Sequence, residues 1–340
     1  MTRTVLVTGG TGYIGAHTAV VFMQAGYQVV VLDNLSNSSA DVIDRIAHIT
    51  GRAPQWVCAD VRDADALESV FSKHRFDGIV HLAGLKAVGE SMQQPLTYYD
   101  HNVHGSLQLI RAARAHGVGR FVFSSSARVY GEPQYLPYDE VHPTGQQANP
   151  YGRTKRIVEI MLEDAHRADP SFHVAVLRYF NPIGAHESGW IGESPKGTPN
   201  NLLPYLTRVA MGHLAELSVY GNDYPTPDGT GRRDYIHVMD LTEAHLKAYE
   251  ALSTSAQGFN IWNLGTGTST SVMEIIQTFE SVTGQRVPYR IAPRREGDIP
   301  EFYASNHKAQ AELGWHARRN LEEMIRDAWH WETRNHTPPA

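Results

Sequence analysis

The sequence predicts an α/β fold: a doubly wound parallel sheet with a smaller C-terminal α/β lobe. Three observations predict it. Short apolar runs alternate with helical stretches through the first half of the chain. A glycine cluster, Thr8-Gly9-Gly10-Thr11-Gly12-Tyr13-Ile14-Gly15, joins the first such pair. After about residue 181 the texture changes, and glycine and proline become dense.

Strands are expected over residues 5–8, 29–33, 55–59, 78–82, 121–125 and 173–178. Most of these runs are short, apolar and β-branched, as strands buried on both faces should be. Helices are expected over residues 12–24, 39–49, 64–73, 98–116 and 151–168. Such βαβ alternation argues a parallel sheet with helices on both faces. Residues 181–184, 195–199 and 224–229 are rich in glycine and proline and suit a binding surface. A strand over 235–238 and helices over 241–252 and 321–333 follow. The expected division is 1–180 and 181–340, with segments of the second part returning to the first.

Composition excludes several classes. The 340 residues are 41% hydrophobic and 19% charged, as in a soluble globular protein with a substantial core. A net charge of −6 supplies no basic stripe for nucleic acid. Cys58 is the only cysteine, so no disulfide framework or thiolate metal site forms within one chain, and a reducing compartment is expected. The 18 histidines show no metal-ligand spacing, and no metal site is expected. No apolar run approaches the ~18 residues of a membrane span, and the N-terminus lacks a signal pattern, so a cytoplasmic protein is expected.

The glycine cluster follows a strand and opens a helix, the context of a dinucleotide fingerprint in a Rossmann-type sheet. Gly9 permits a tight turn, Gly12 lets backbone approach a pyrophosphate, and Gly15 lets the helix pack on the sheet. The helix N-terminus adds free N–H groups and a positive dipole end. Asp33 ends the second strand, where a carboxylate accepts hydrogen bonds from ribose hydroxyls. It repels a 2′-phosphate, and residues 34–40 hold no basic side chain, so NAD is expected rather than NADP. Asp60 ends the third strand, where it either meets adenine or caps the helix after Val61. Leu82, Ala83 and Gly84 leave room for a cofactor, and Lys86 is placed to contact it.

Tyr151 and Lys155 stand at i and i+4, on one helix face. A nearby ammonium and a nicotinamide cation favour the tyrosinate, drawing the phenol pKa down from about 10. The tyrosinate then takes a proton from a substrate hydroxyl as hydride leaves the same carbon. Ser126, at the end of the serine run Ser124-Ser125-Ser126, is placed to hydrogen-bond the reacting oxygen.

With these motifs the chain resembles the extended short-chain dehydrogenase/reductase family over nearly its whole length. Within that family it is similar to the enzymes that invert C4 of nucleotide-bound hexoses. The most specific matches are Ala83 to Ser91, Leu177 to Pro182, Pro199 to Leu202, Arg233 to Asp240 and Arg294 to Asp298. The resemblance implies transient NAD-dependent oxidation at C4, turnover of the 4-keto sugar and return of hydride to its other face. It implies UDP-glucose and UDP-galactose as substrates and a homodimer paired through the helices at 98–116 and 151–168. It adds Tyr13, Ile14, Asn34, Val61, Ser124, Tyr179 and Phe180 to the cofactor site. It assigns Lys86, Ser126, Ala127, Arg128, Tyr151, Tyr179, Asn181, Asn201, Leu202, Tyr220, Arg233, Arg295, Asp298 and Phe302 to the UDP-sugar. Guanidinium forks at Arg233 and Arg295 suit a diphosphate.

The chain departs from the family pattern in places. Arg128 replaces a threonine beside the sugar, and His101 stands where an asparagine is common. Phe302 holds the gate position, where a bulky ring leaves little space for a 2-acetamido group. A 4,6-dehydratase wants an acid pair directly after the serine; here those positions are Ala127 and Arg128. An epimerase of UDP-pentoses or UDP-hexuronates and a non-catalytic NAD/UDP-sugar-binding protein are the other readings.

Overall fold

The structure is a computed structural model that describes residues 3–335 apart from 146, 148, 254–257 and 296. The chain opens with β1 (Thr4–Thr8), α1 (Tyr13–Gln24), β2 (Gln28–Asp33), α2 (Val42–Thr50), β3 (Gln55–Cys58), α3 (Ala64–Lys73) and β4 (Gly78–His81). It continues through α4 (Val88–Gln93), α5 (Pro95–Tyr98), a π-helical segment (Tyr99–His104) and α6 (Gly105–Ala115) to β5 (Arg120–Ser126). A 3₁₀ turn (Ala127–Val129), α7 (Pro150–Ala168) and β6 (His173–Tyr179) follow.

Beyond these come β7 (Asn181–Ile183), α8 (Leu202–Ala210), β8 (Leu217–Tyr220), β9 (Arg232–Arg233), β10 (Tyr235–His237) and α9 (Val238–Ala251). The last elements are β11 (Phe259–Leu264), β12 (Thr270–Ser271), α10 (Val272–Thr283), β13 (Tyr289–Ala292), β14 (Glu301–Phe302), α11 (His307–Leu313) and α12 (Leu321–Asn335).

The large sheet has seven parallel strands in the order β11-β6-β5-β4-β1-β2-β3. Strand order reverses at β1 and β4, so the loops leaving their carboxyl ends diverge and leave a crevice. Side-chain alternation builds a core on each face. Val5, Val7, Val29 and Val31 pack with Phe22, Tyr249 and Trp262 on one face. Leu6, Val30 and Leu32 pack with Phe71, Leu109 and Leu162 on the other. A separate cluster, with Leu206, Val219, Ile275, Phe279 and Ile325, forms the core of the smaller lobe.

The structure corrects several expectations. The strand β3 is an edge with a mostly exposed face, Trp56 being 39% exposed, so it is not buried on both sides. The helix expected over 98–116 is interrupted by the π-helical segment. Val238 opens α9 instead of closing a strand. The helices α8, α10 and α11 were not expected, nor was β11, which crosses back to pair with β6.

One buried ion pair fastens α7 to the sheet. Glu159 accepts from Ser125 Oγ at 2.6 Å and from Arg178 Nε and Nη2 at 3.0 and 2.8 Å. Both charged residues are buried. Removing one partner strands the other charge, so Glu159→Ala is expected to cost about 3–5 kcal/mol in urea unfolding.

Candidate active site

The turn after β1 is built from close approaches that side chains would block. A Cβ on Gly9 (φ +68°) would lie 2.7 Å from Ala83 N, where the loops after β1 and β4 touch. A Cβ on Gly15 would lie 2.0 Å from the Gly9 carbonyl oxygen. Gly10, given no role in the sequence reading, is equally constrained: its Cβ would meet Val31 at 2.8 Å. Gly12 is different, because a Cβ there would touch only Gly9 O, at 3.2 Å. It caps α1 with no side chain and no acid in the first turn, leaving the dipole end open to an anion.

Asp33 stands at the end of β2. Its carboxylate accepts from Leu35 N at 2.8 Å, Ser38 Oγ at 2.9 Å and Thr11 N at 3.2 Å. A cavity of ≈180 Å³ opens here, lined by Thr11, Gly12, Tyr13, Ser38, Asp41 and Lys196 among others. The open helix N-terminus at Gly12 lines this cavity, Asp33 is bonded to its lining residues Thr11 and Ser38, and the set fits a dinucleotide. The basic group that residues 34–40 lack arrives from elsewhere: Lys196 Nζ donates to Leu35 O at 2.7 Å. Ile14 packs against the core, and the Tyr13 hydroxyl donates to Gly184 O at 2.7 Å.

Asp60 neither caps a helix nor stands free. Asp63 caps α3, while Asp60 accepts from Arg62 and from Asn34 Nδ2 at 2.8 Å. The Arg62 hydrogen bonds hold its carboxyl well below the usual range, against the effect of burial. Val61 is buried against Gly105.

The loop after β4 carries Leu82, Ala83, Gly84 (φ +157°) and Lys86. The side chain of Asn102, in the π-helical segment, grips it. Asn102 Oδ1 accepts from Leu85 N at 2.8 Å, and Nδ2 donates to Leu85 O and Thr154 Oγ1 at 3.0 Å each. The neighbouring His101 is half-buried, and burial followed by Arg62 holds its pKa down. Lys86 pairs with Glu193 at 2.7 Å, and Glu193 accepts from Asn201 Nδ2 at 2.6 Å. Neither Asn102 nor Glu193 was singled out in the sequence, because nothing local marks them.

Ser124, Ser126, Tyr151 and Lys155 meet where β5 ends beside the start of α7. Asn149 caps α7 by accepting from Gly152 N at 2.8 Å, with Pro150 in the first turn. Lys155 Nζ donates to Ser124 O at 2.7 Å and lies 6.0 Å from the Tyr151 ring centroid. Burial draws the Lys155 pKa down to about 8, opposed by Glu159. The protein's own groups act on the Tyr151 phenol in both directions. Burial pushes it up; the Ser126 hydrogen bond and then Lys86 and Arg128 pull it down without prevailing. The protein's own groups therefore favour the neutral phenol.

The sugar-nucleotide candidates surround this point on the lobe side. Phe302 packs on Phe180 and Tyr138, with centroids 4.9 Å apart in both cases, and the Arg128 guanidinium lies 5.7 Å from its ring. Arg233 pairs with Asp298 at 3.1 Å and donates to Arg232 O and Ile299 O. Arg295 stacks over Tyr220 at 3.7 Å. Asn181 lies in β7, Leu202 opens α8, and Ala127 is buried in the 3₁₀ turn. The Tyr179 side chain is turned into the core, its hydroxyl against His245 Nε2.

A doubly wound sheet with a glycine turn after β1, and a tyrosine and lysine on a helix beside a strand-end serine, defines an extended short-chain dehydrogenase/reductase. The family described as "GDP-mannose 4,6 dehydratase" matches residues 6–328. A UDP-glucose 4-epimerase of Neisseria gonorrhoeae is 54% identical over 332 residues, 98% of each chain. One from Bacillus subtilis is 54% identical over 97% of each. Among solved structures, a Bifidobacterium longum UDP-glucose 4-epimerase in complex with NAD⁺ and UDP superposes with a TM-score of 0.93 at 48% identity, over 98% of this chain and 99% of that one. A Stenotrophomonas maltophila UDP-glucose 4-epimerase with NAD and formylated UDP-arabinopyranose gives 0.95 at 50%, over 98% of each. The chain belongs to the UDP-glucose 4-epimerase family of the extended short-chain dehydrogenases/reductases and is an isomerase.

Asn102→Ala leaves Leu85 N–H and C=O without partners in a partly buried loop. It is expected to lower unfolding stability by about 1–3 kcal/mol, read as a fall in the urea midpoint.

Proposed function

We propose that this enzyme interconverts UDP-glucose and UDP-galactose by inverting C4, with NAD retained in the site and recycled at each turnover. The observation that carries this reading is the convergence of Ser126, Tyr151 and Lys155 at the end of β5, facing the lobe that holds Arg233, Asp298 and Phe302. When bound, NAD supplies the hydride chemistry at C4 and a ring charge that favours the tyrosinate.

The chain's own residues do the rest. The N-terminus of α1 and the turn at Gly9, Gly12 and Gly15 hold the pyrophosphate. Asp33 accepts from the ribose hydroxyls. Tyr151 takes the 4-hydroxyl proton and returns it to the opposite epimer. Ser126 donates to the oxygen at C4. Lys155, fixed on Ser124 O, keeps an ammonium beside the phenol. Arg233 and Arg295 hold the diphosphate, and Asn181, Asn201, Leu202, Tyr220 and Asp298 complete the UDP-sugar site.

Ala127 and Arg128 offer no acid pair, so water elimination across C5 and C6 has no catalyst here. The Phe302 ring, packed by Phe180 and Tyr138, supports weak use of UDP-N-acetylhexosamines. A second reading, use of a UDP-pentose, is favoured by the formylated UDP-arabinopyranose held by the Stenotrophomonas maltophila relative. We place the activity in galactose metabolism in the cytoplasm and the enzyme in a homodimer. Exposed Leu96 and Ile160, on helices that pack together, offer apolar surface for pairing.

The test is UDP-glucose formation from UDP-galactose by the purified protein with no NAD added. Tyr151→Phe is expected to lower turnover roughly 10²–10⁴-fold while NAD stays bound. Turnover unaffected by that change would refute the role of the phenol. The pH profile gives a second check. Activity needs the tyrosinate and falls as pH drops through the phenol pKa. Lys155→Met removes a neighbouring cation, so this acidic limb moves to higher pH.

A further inference from the structure

Among the described residues no carboxylate pairs with Arg128. Its backbone is fastened at the catalytic end: Arg128 N donates to Ser126 Oγ at 3.2 Å. A Cβ on Gly152 would lie 2.9 Å from Arg128 O, so the turn sits tight against the start of α7. From there the half-buried side chain runs toward the lobe, its guanidinium 5.7 Å from the Phe302 ring centroid. Tyr151, Tyr138, Arg233 and Asp298 all lie close enough to act on its charge.

Among the described residues, the carboxylate that acts on Arg128 is already taken. Asp298 pairs with Arg233 at 3.1 Å, and Arg233 spends a further nitrogen on Arg232 O and Ile299 O. Among the described residues no side-chain or main-chain oxygen accepts from the Arg128 guanidinium. Burial, followed by repulsion from Arg233, makes its charge costly. A desolvated guanidinium with unspent donors beside a second cation is a site for an anion.

We propose that Arg128 binds an anionic group of the sugar nucleotide, making it a specificity-determining residue of this enzyme. The ligand chemistry is a phosphate or carboxylate oxygen pair, which a planar guanidinium takes bidentately. Two parts of a sugar nucleotide can supply it: the diphosphate, or a carboxylate at C6 of a hexuronate. The Phe302 ring supports one face of the guanidinium and leaves its edge for the anion. The proposal deepens the UDP-sugar reading above and rests on it.

The experiment is calorimetric binding of UDP, UDP-glucose and UDP-glucuronate to the NAD-loaded enzyme and to Arg128→Met, Arg128→Lys and Arg128→Thr. Unchanged NAD content and circular dichroism verify that each variant is folded. The Met variant is expected to bind at least one anionic ligand about 10-fold or more weakly, with the Lys variant restoring part of the loss. A loss shared by all three ligands assigns Arg128 to the diphosphate. A loss confined to UDP-glucuronate assigns it to the carboxylate. Wild-type affinities in the Met and Thr variants, or a loss for UDP-glucose alone, would overturn the proposal. Wild-type enzyme that binds UDP but does not epimerise UDP-galactose contradicts the activity and leaves the binding test of Arg128 intact. Wild-type enzyme that binds none of the three ligands overturns both.

Discussion

The site depends on how one face of α7 is fastened to the sheet. Tyr151, Lys155 and Glu159 follow each other at i, i+4 and i+8 and share that face. Glu159 is held by Ser125 of β5 and Arg178 of β6, and Lys155 by the carbonyl of Ser124. These bonds join the helix to the carboxyl ends of two adjacent strands, so the phenol's distance from Ser126 is set by the sheet itself. Buried ion pairs are weak sources of stability. Here the pair's evident consequence is placement.

Around that anchor, loops from distant parts of the chain are tied to one another by polar bonds. Asn102 fixes the loop after β4 to α7 through Thr154. Glu193 joins Lys86 of that loop to Asn201 at the start of α8. Lys196 reaches the loop after β2. These ties join segments distant in sequence, so they are made only when the chain is folded. Electrostatics divide along the crevice. The dinucleotide end carries Asp33 and an open helix dipole, and the sugar end carries Arg128, Arg233 and Arg295 against Asp298. Burial pushes the Tyr151 phenol up, against the pull of Ser126, Lys86 and Arg128.

Much of the large sheet was legible because its signals are local. Glycines after β1, Asp33 at the end of β2 and the alternation of short apolar runs with helices are read from neighbours in sequence. The misses are long-range or cryptic. The strand β11 joins the sheet from residue 259 onward, and only its pairing with β6 shows where it belongs. The helix α10 did carry a readable signal, the capping box of Ser271 and Glu274, lost among the turn residues of the second half. The exposure of β3 follows from its place at the edge, which sequence pattern does not give. Within the site, Tyr151, Lys155 and Ser126 were marked by spacing, whereas Glu159, Asn102 and Glu193 matter only through partners up to 107 residues away. The upward push of burial on Tyr151 has no mark in the sequence, because it depends on how the chain packs there.

The central claim is that C4 is oxidised and reduced within one closed site. Conversion of UDP-galactose deuterated at C4, in ordinary water with no added cofactor, tests it most directly. The account predicts that the UDP-glucose formed carries the deuterium at C4 undiminished. Loss of the label to solvent would show that the bond is remade with a proton from water, and the account would be wrong.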